Sequence, residues 1–495
     1  VTVTKPYYKD VLACQTKICD GMEIIVGRKE STGTKEVSMV VLTNGGNVSE
    51  KFNEHVNRNV VFKEETANES EKVESNEDTL AACDIGTTTV VCYLIDKETG
   101  QIISTRSGAN PQRSYGADVL SRIDAAARAD DNDKANGGLQ MMQTQIVSLL
   151  NGWISEMLTE CGRTKVSRFS VAGNTVMCHL LMGISPEKLG KAPFMPDEYF
   201  GREFNPLDIG LENCQTMIIF PAVSGFVGGD ITAGMMETVN CNELTLYLDI
   251  GTNGEMALGI GDRYVCCATA AGPAFEGSQI ELGMPASKGA VDKVWLEGRR
   301  IKYSVIGNDR PVGLCGSGLI DALAVLLKAG IIDENGTILS GQELPILFRS
   351  YVFEVEAEET AQSTESSLVV HIAPGVYITQ DDIRKLQLAK GAIAAGIEVL
   401  FKEYGCKPCD LDILTFAGGF GNYIDKASAA AIGLFPQELL DKAKEVGNAA
   451  GNGAVSAALS QEAWKRALDI SGNMRYIELA SYPHFNEMYV EHMNF

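Results

Sequence analysis

The chain has 495 residues, 45% of them hydrophobic, and a formal net charge of -23 from 42 basic and 65 acidic side chains. That length is too great for one ordinary core and calls for two or three domains. The acidity argues against nucleic acid as a partner, because a phosphate backbone demands the opposite sign. No apolar run approaches the roughly 18 residues of a membrane span, and thirteen cysteines without framework spacing point to a reducing cytoplasm.

Val1 opens the chain with neither an initiator Met nor an apolar signal core, so the sequence reads as starting inside a longer reading frame. Residues 1–30 read as short strands and turns. Residues 31–79 read as a linker, with the composition shifting from about 43 to 78 to Asn, Glu, Lys and Ser without periodicity. From residue 80 strands alternate with amphipathic helices, which is an α/β pattern. It divides into a first lobe at 80–243, a second at 244–430, and helices at 431–495 that return to the first lobe. Helices are expected at 139–160, 231–237, 317–329 and 424–432, and a polar surface loop at 354–367.

An internal repeat organises this region. The run Leu80-Ala81-Ala82-Cys83-Asp84-Ile85-Gly86-Thr87 is echoed by Leu246-Tyr247-Leu248-Asp249-Ile250-Gly251-Thr252. Each copy is followed by an apolar strand, a turn and a third strand. One three-stranded meander has been used twice, and a duplicated unit needs its pair to build one cleft.

The repeated turn can bind phosphate. Glycine lets the backbone approach a ligand, successive N–H groups form an anion-binding concavity, and threonine hydroxyls add donors. Gly86, Thr87, Thr88 and Thr89 would do this in the first copy, and Gly251, Thr252 and Asn253 in the second. Asp84 and Asp249, at the strand ends, are placed to orient the water shell of a Mg²⁺ ion, which takes few carboxylates directly. One such turn is equally a structural hairpin; two at equivalent points favour a triphosphate held from both sides. Gly418, Gly419, Phe420, Gly421 and Asn422 form a third glycine-rich turn, where a ribose or flat ring could lie on bare backbone. Gly228-Gly229-Asp230 and Gly316-Ser317-Gly318 are strand-to-helix entries that could line the same cleft.

The order of these elements resembles the superfamily of actin, sugar kinases, acetate kinase and the heat-shock ATPases. The resemblance implies a duplicated, ribonuclease H-like two-lobe fold with an interlobe nucleotide cleft. Residues 84–89, 249–253 and 418–422 match its two phosphate loops and its adenosine loop. The linking helices would be the one after Asp230 and the one at 451–459. Residues 270–277, 313–321, 378–392 and 418–424 are similar to one branch, the reductive activators of corrinoid proteins. That resemblance implies a cytoplasmic ATPase with Mg²⁺, in which Asp84, Asp249 and Asp230 serve the chemistry. It would drive one-electron reduction of Co(II) to Co(I) in a partner corrinoid protein; homodimers are also compatible with it.

Members of this branch carry an N-terminal plant-type [2Fe-2S] domain. Here Cys14 resembles the fourth cluster ligand, while the C-x₄-C-x₂-C that supplies the other three has no counterpart. The chain as given is therefore expected to hold no cluster, with Cys14 a ligand only in a full-length protein. Two other functions share the phosphate turns: a small-molecule kinase, with Asp230 or Glu255 as base, and a nucleotide-switched binding module. Cys406 and Cys409 read as a surface turn, His179 as a packed helix residue, and no G-x-S-x-G elbow supports a hydrolase.

Overall fold

Two continuous apolar runs, residues 80–83 and 246–248, lay down the strands on which everything else is built. The structure, a computed structural model, describes residues 2–5, 9–10, 23–25, 79–128, 137–239, 242–251, 253–355, 367–418 and 423–495. Cys14, Thr252 and residues 419–422 lie outside the described residues, as does most of the expected linker and of the loop at 354–367. Near the start, β1 (Thr2–Lys5), β2 (Lys9–Asp10) and β3 (Glu23–Ile25) form a small antiparallel sheet in the order β2-β1-β3.

In the first lobe, β4 (Thr79–Ile85), β5 (Thr89–Asp96) and β6 (Ile102–Ala109) form the antiparallel meander. Helices α1 (Val119–Ala127) and α2 (Gly138–Glu160) follow, and β7 (Val166–Gly173) then returns parallel to β4. Helix α3 (Thr175–Met182), strands β8 (Arg202–Phe204) and β9 (Cys214–Ile219), and helix α4 (Gly229–Thr238) complete it. The sheet order is β6-β5-β4-β7-β9-β8.

The second lobe repeats the plan. Strands β10 (Thr245–Ile250), β11 (Gly254–Ile260) and β12 (Arg263–Thr269) are the second meander. An insertion follows, with one sheet of β13 (Ala290–Glu297), β14 (Arg300–Val305) and β15 (Gly313–Leu314), then α5 (Gly316–Lys328). A second small sheet holds β16 (Val352–Val355), β17 (Ser367–Ala373) and β18 (Val376–Thr379). The long α6 (Gln380–Tyr404) opens on a capping box between Thr379 and Asp382 and stops at Gly405, whose φ of 79° supplies the left-handed cap. It leads into β19 (Ile413–Ala417), which lies parallel to β10 as β7 does to β4. After them come α7 (Lys426–Ala431), β20 (Ala443–Glu445), α8 (Ala449–Leu459), α9 (Gln461–Gly472), β21 (Met474–Tyr476) and α10 (Phe485–Glu491).

The second sheet runs β20-β19-β10-β11-β12-β21. The segment 431–495, expected as helices returning to the first lobe, therefore divides. Helices α8 and α9 pack on α4, and α8 also on β4, whereas β20 and β21 extend the second sheet and α10 lies on α6. The physical reason is that Ala443–Glu445 and Met474–Tyr476 pair with open edges of that sheet, a strand signal too short to read from sequence.

Three apolar cores result. One fills the outer face of the first sheet under α2 and α3, and another fills the outer face of the second under α5 and α6. The third lies between the sheets: Leu80, Ala82, Tyr247 and Ala257 meet Ile231, Met235, Ala454 and Ala457 from α4 and α8. Gly453 permits this close crossing, since a Cβ there would lie 2.2 Å from the Ala233 carbonyl.

Candidate functional site

Alternation aims the carboxylates. In β4, Ala81, Cys83 and Ile85 face the outer core while Leu80 and Ala82 face the core between the sheets, so Asp84 falls on the inner side. In β10, Leu246, Leu248 and Ile250 face outward, Tyr247 faces inward, and Asp249 follows it. Glu255 of β11 sits directly across the antiparallel pair from Asp249. Asp230 arrives from the first turn of α4, its Oδ1 accepting the Ile231 N–H at 2.9 Å.

These four carboxylates form one electrostatic group on the cleft floor, each half-buried with an accessible edge. Burial and the Asp230 charge push Asp84 up to about 7, against a hydrogen bond from Asn448. Burial, Asp230 and Asp84 together push Asp249 up to about 7, and burial takes Asp230 to about 6. Glu255 is raised well above the ordinary range by burial, Asp230 and Asp249. Beneath them the Tyr247 hydroxyl, buried and without a hydrogen-bond partner, is raised by burial and by all four charges. Like charges sharing a sheltered site hold protons more tightly. A hydrated divalent cation is the counter-charge such a group fits. Mg²⁺ keeps several of its waters and takes few carboxylates directly, so Asp84 and Asp249 could orient its water shell.

The two turns are built differently. At Gly86 a Cβ would lie 2.8 Å from the Thr89 carbonyl, so the hairpin itself needs glycine there. At Gly251 a Cβ would meet, among the described residues, the Glu276 carboxylate at 3.6 Å and the Asn253 carbonyl at 3.9 Å, both at ordinary contact distance.

The first turn is also anchored from behind by residues with no sequence signal. Asn110 donates to the Gly86 carbonyl at 2.8 Å and its own N–H to the Thr88 carbonyl at 2.9 Å. Asn174, the N-cap of α3, donates to the Thr87 hydroxyl at 3.0 Å. Arg122 of α1 donates to the Thr87 carbonyl at 2.5 Å. Thr88 and Thr89 are exposed at the turn's tip.

The remaining candidates divide. Gly418, with φ of 78°, abuts Asp249, which brings the start of the third glycine-rich turn to the carboxylates. Gly228 lies against Asn174, where a Cβ would come within 2.5 Å of its Cα, and Gly229 against Phe220 at 2.7 Å. Both glycines thus have packing reasons. Gly316, Ser317 and Gly318 are buried at the start of α5. Ser317 donates to the Asp292 carbonyl at 2.9 Å, and a Cβ on Gly318 would meet the Val291 carbonyl at 2.2 Å. Helix packing accounts for that entry. His179 is buried with its Nδ1 2.7 Å from the Thr175 carbonyl, and Cys406 and Cys409 sit in a surface turn.

Comparison with known proteins decides the family. The C-terminal ASKHA domain of RACo matches residues 243–495, and the RACo middle region matches residues 80–240. The chain belongs to the RACo family. In RACo terms the first lobe is the middle region, and both matched regions contribute one copy of the duplicated sheet. The chain is similar to the corrinoid activation enzyme RamQ of Eubacterium limosum, 36% identical over 83% of this chain and 69% of that one. It is also similar to the [Co(II) methylated amine-specific corrinoid protein] reductase of Methanosarcina barkeri, 27% identical over 72% of this chain and 65% of that one. Among solved structures, a reductive activator for corrinoid, iron-sulfur protein superposes with a TM-score of 0.70 at 35% identity. That match covers 86% of this chain and 67% of the other. The chain thus spans about two thirds of the length of these relatives. Among its described residues no helix is long and apolar enough to cross a membrane.

Proposed function

We propose that this RACo-family chain is the ATP-dependent part of a reductive activator, coupling ATP binding and hydrolysis to reduction of a corrinoid protein's cobalt from Co(II) to Co(I). The observation that carries this reading is the pair of turns around the carboxylate floor, in a chain 36% identical to a corrinoid activation enzyme. Gly86 to Thr89 and Gly251 to Asn253 hold the phosphates, the turn beginning at Gly418 receives the adenosine, and Asp84 and Asp249 orient the waters of Mg²⁺. Asp230, from a helix between the sheets, faces both lobes and orders the attacking water. One electron enters the cobalt from a low-potential donor, while ATP and water become ADP and phosphate. Closing of the lobes on ATP changes their affinity for the corrinoid protein, and that difference in affinity shifts the redox equilibrium. In a full-length protein Cys14 would ligate the [2Fe-2S] cluster through which the electron passes. The partner is a corrinoid protein, the setting is the cytoplasm, and turnover is slow and Mg²⁺-dependent.

The test is the cobalt spectrum of a candidate corrinoid protein mixed with the full-length protein, a reductant and Mg·ATP. Co(I) should appear only when ATP is present. Its appearance without ATP, or phosphorylation of a sugar or carboxylate at ordinary kinase rates, would overturn the reading.

A further inference from the structure

Arg122 is fully buried on α1, in a position the nucleotide reading leaves unexplained. Its guanidinium serves three acceptors in three directions: Nε donates to the Gly116 carbonyl at 3.0 Å, Nη1 to the Met177 sulfur at 3.1 Å, and Nη2 to the Thr87 carbonyl at 2.5 Å. Asp118, whose charge favours the guanidinium, is committed to capping the helix, accepting the Ser121 N–H at 2.8 Å and the Ser121 hydroxyl at 2.9 Å. Arg113 adds a like charge that opposes it. A buried cation without a bonded anion is costly, and a fold retains one where its charge or its fork has a use.

The use follows from what it touches. Thr87 is the central residue of the first turn, and its carbonyl belongs to the same planar peptide unit as the Thr88 N–H. In a trans peptide the two groups point in opposite directions, so a donor on the oxygen leaves the N–H facing away from the guanidinium. Polarising the carbonyl strengthens that N–H as a donor. Asn174 fixes the Thr87 side chain in the same way, through the hydroxyl rather than the carbonyl. Met177, on the helix that Asn174 caps, accepts from both Arg122 and Asn110 and so joins the supports.

We propose that Arg122 is the positioning residue of the first phosphate turn. From behind, its guanidinium sets the Thr87–Thr88 peptide with the N–H toward the ligand, and its charge supplies positive potential that a polyphosphate neutralises. The inference rests on the reading that this turn binds phosphate. A lysine could keep the charge but could not reach all three acceptors.

ATP and AMP binding to wild type, Arg122→Met and Arg122→Lys, measured by calorimetry with Mg²⁺, tests this. In Arg122→Met the Kd for ATP should rise tenfold or more while that for AMP stays within twofold, and Arg122→Lys should fall between. A purely structural arginine would weaken both ligands by the same factor, and that result, or an unchanged ATP affinity in folded Arg122→Met, overturns the proposal. Should Arg122→Met fail to fold, Arg122→Lys decides alone: an ATP Kd raised threefold or more with AMP unmoved supports the role, and equal values refute it. If wild type does not prefer ATP to AMP, the phosphate reading of the turn fails first and takes this inference with it.

Discussion

A Cβ placed on Gly418 would lie 2.3 Å from the Oδ1 of Asp249. The third glycine-rich turn therefore begins on top of the carboxylate that ends the second phosphate strand, and Gly418 holds a φ of 78° to do so. Both features forbid a side chain. Gly418→Ala should cost about 1–2 kcal/mol from the left-handed backbone alone, and relief of the contact must displace Asp249. The expected result is a lowered melting temperature together with a loss of ATP turnover larger than the stability change explains. A variant with wild-type turnover would separate this turn from the chemistry.

The carboxylate floor predicts an unusual pH profile. Asp84 and Asp249 titrate near 7 and Asp230 near 6 in the folded chain, against about 3.9 for an unfolded aspartate. Between those limits the folded state binds more protons than the unfolded one, so stability is highest on the acid side and falls as pH rises from about 4 to about 7. Melting temperature of the nucleotide-free protein should therefore drop across this window, and Mg·ATP should flatten the slope by supplying the counter-charge. Asp249→Asn removes one like charge without changing shape. It should melt higher than wild type at pH 8, yet hydrolyse ATP roughly 100-fold or more slowly, the order expected when metal-assisted stabilisation of several kcal/mol is lost. Unchanged turnover would remove Asp249 from the metal's shell.

Gly228→Ala tests the structural half of the site. Its Cβ would enter within 2.5 Å of the Asn174 Cα and 2.6 Å of the Thr175 N–H, both backbone and unable to swing aside. Overpacking of this kind costs about 1–3 kcal/mol. Displacing Asn174 also strips the donor from the Thr87 hydroxyl. Calorimetry should show weaker ATP binding alongside lower stability. Stability lost with ATP affinity intact would mean that the Asn174–Thr87 bond is incidental.

What was legible in the sequence is what local rules encode. The meanders are readable because an apolar strand ends in the same Asp-Ile-Gly-Thr string at 84–87 and at 249–252, with a second apolar strand, a turn and a third strand after each. The supports of the first turn are not. Asn110, Arg122 and Asn174 sit in segments of ordinary composition, and only the fold brings Asn110 to Gly86 and the other two to Thr87, across intervals of 24, 35 and 87 residues. The same limit misplaced part of 431–495: a three-residue edge strand such as Ala443–Glu445 carries no period to read. The glycines at 228, 229, 316 and 318 signal a close approach without saying to what. The structure supplies backbone neighbours for Gly228, Gly229 and Gly318.

Asn448 allows the cap of a helix to be separated from the charge of the site. Its Oδ1 accepts the Gly451 N–H at 2.8 Å and caps α8, while its amide nitrogen lies 3.4 Å from the Tyr93 hydroxyl and the side chain lowers the Asp84 titration. Aspartate caps a helix as well as asparagine does, so Asn448→Asp leaves α8 intact. It removes the one side-chain donor that lowers the Asp84 titration and adds a fifth negative charge beside the other four. At pH 5.5, where the floor is largely protonated, the variant should melt close to wild type. At pH 8 it should melt several degrees lower, since about 1 kcal/mol moves a domain of this size by roughly 2–4 °C, and saturating Mg·ATP should recover much of the difference. An equal loss at both pH values would assign Asn448 to helix capping alone and leave Asp84 without its link to the C-terminal helices.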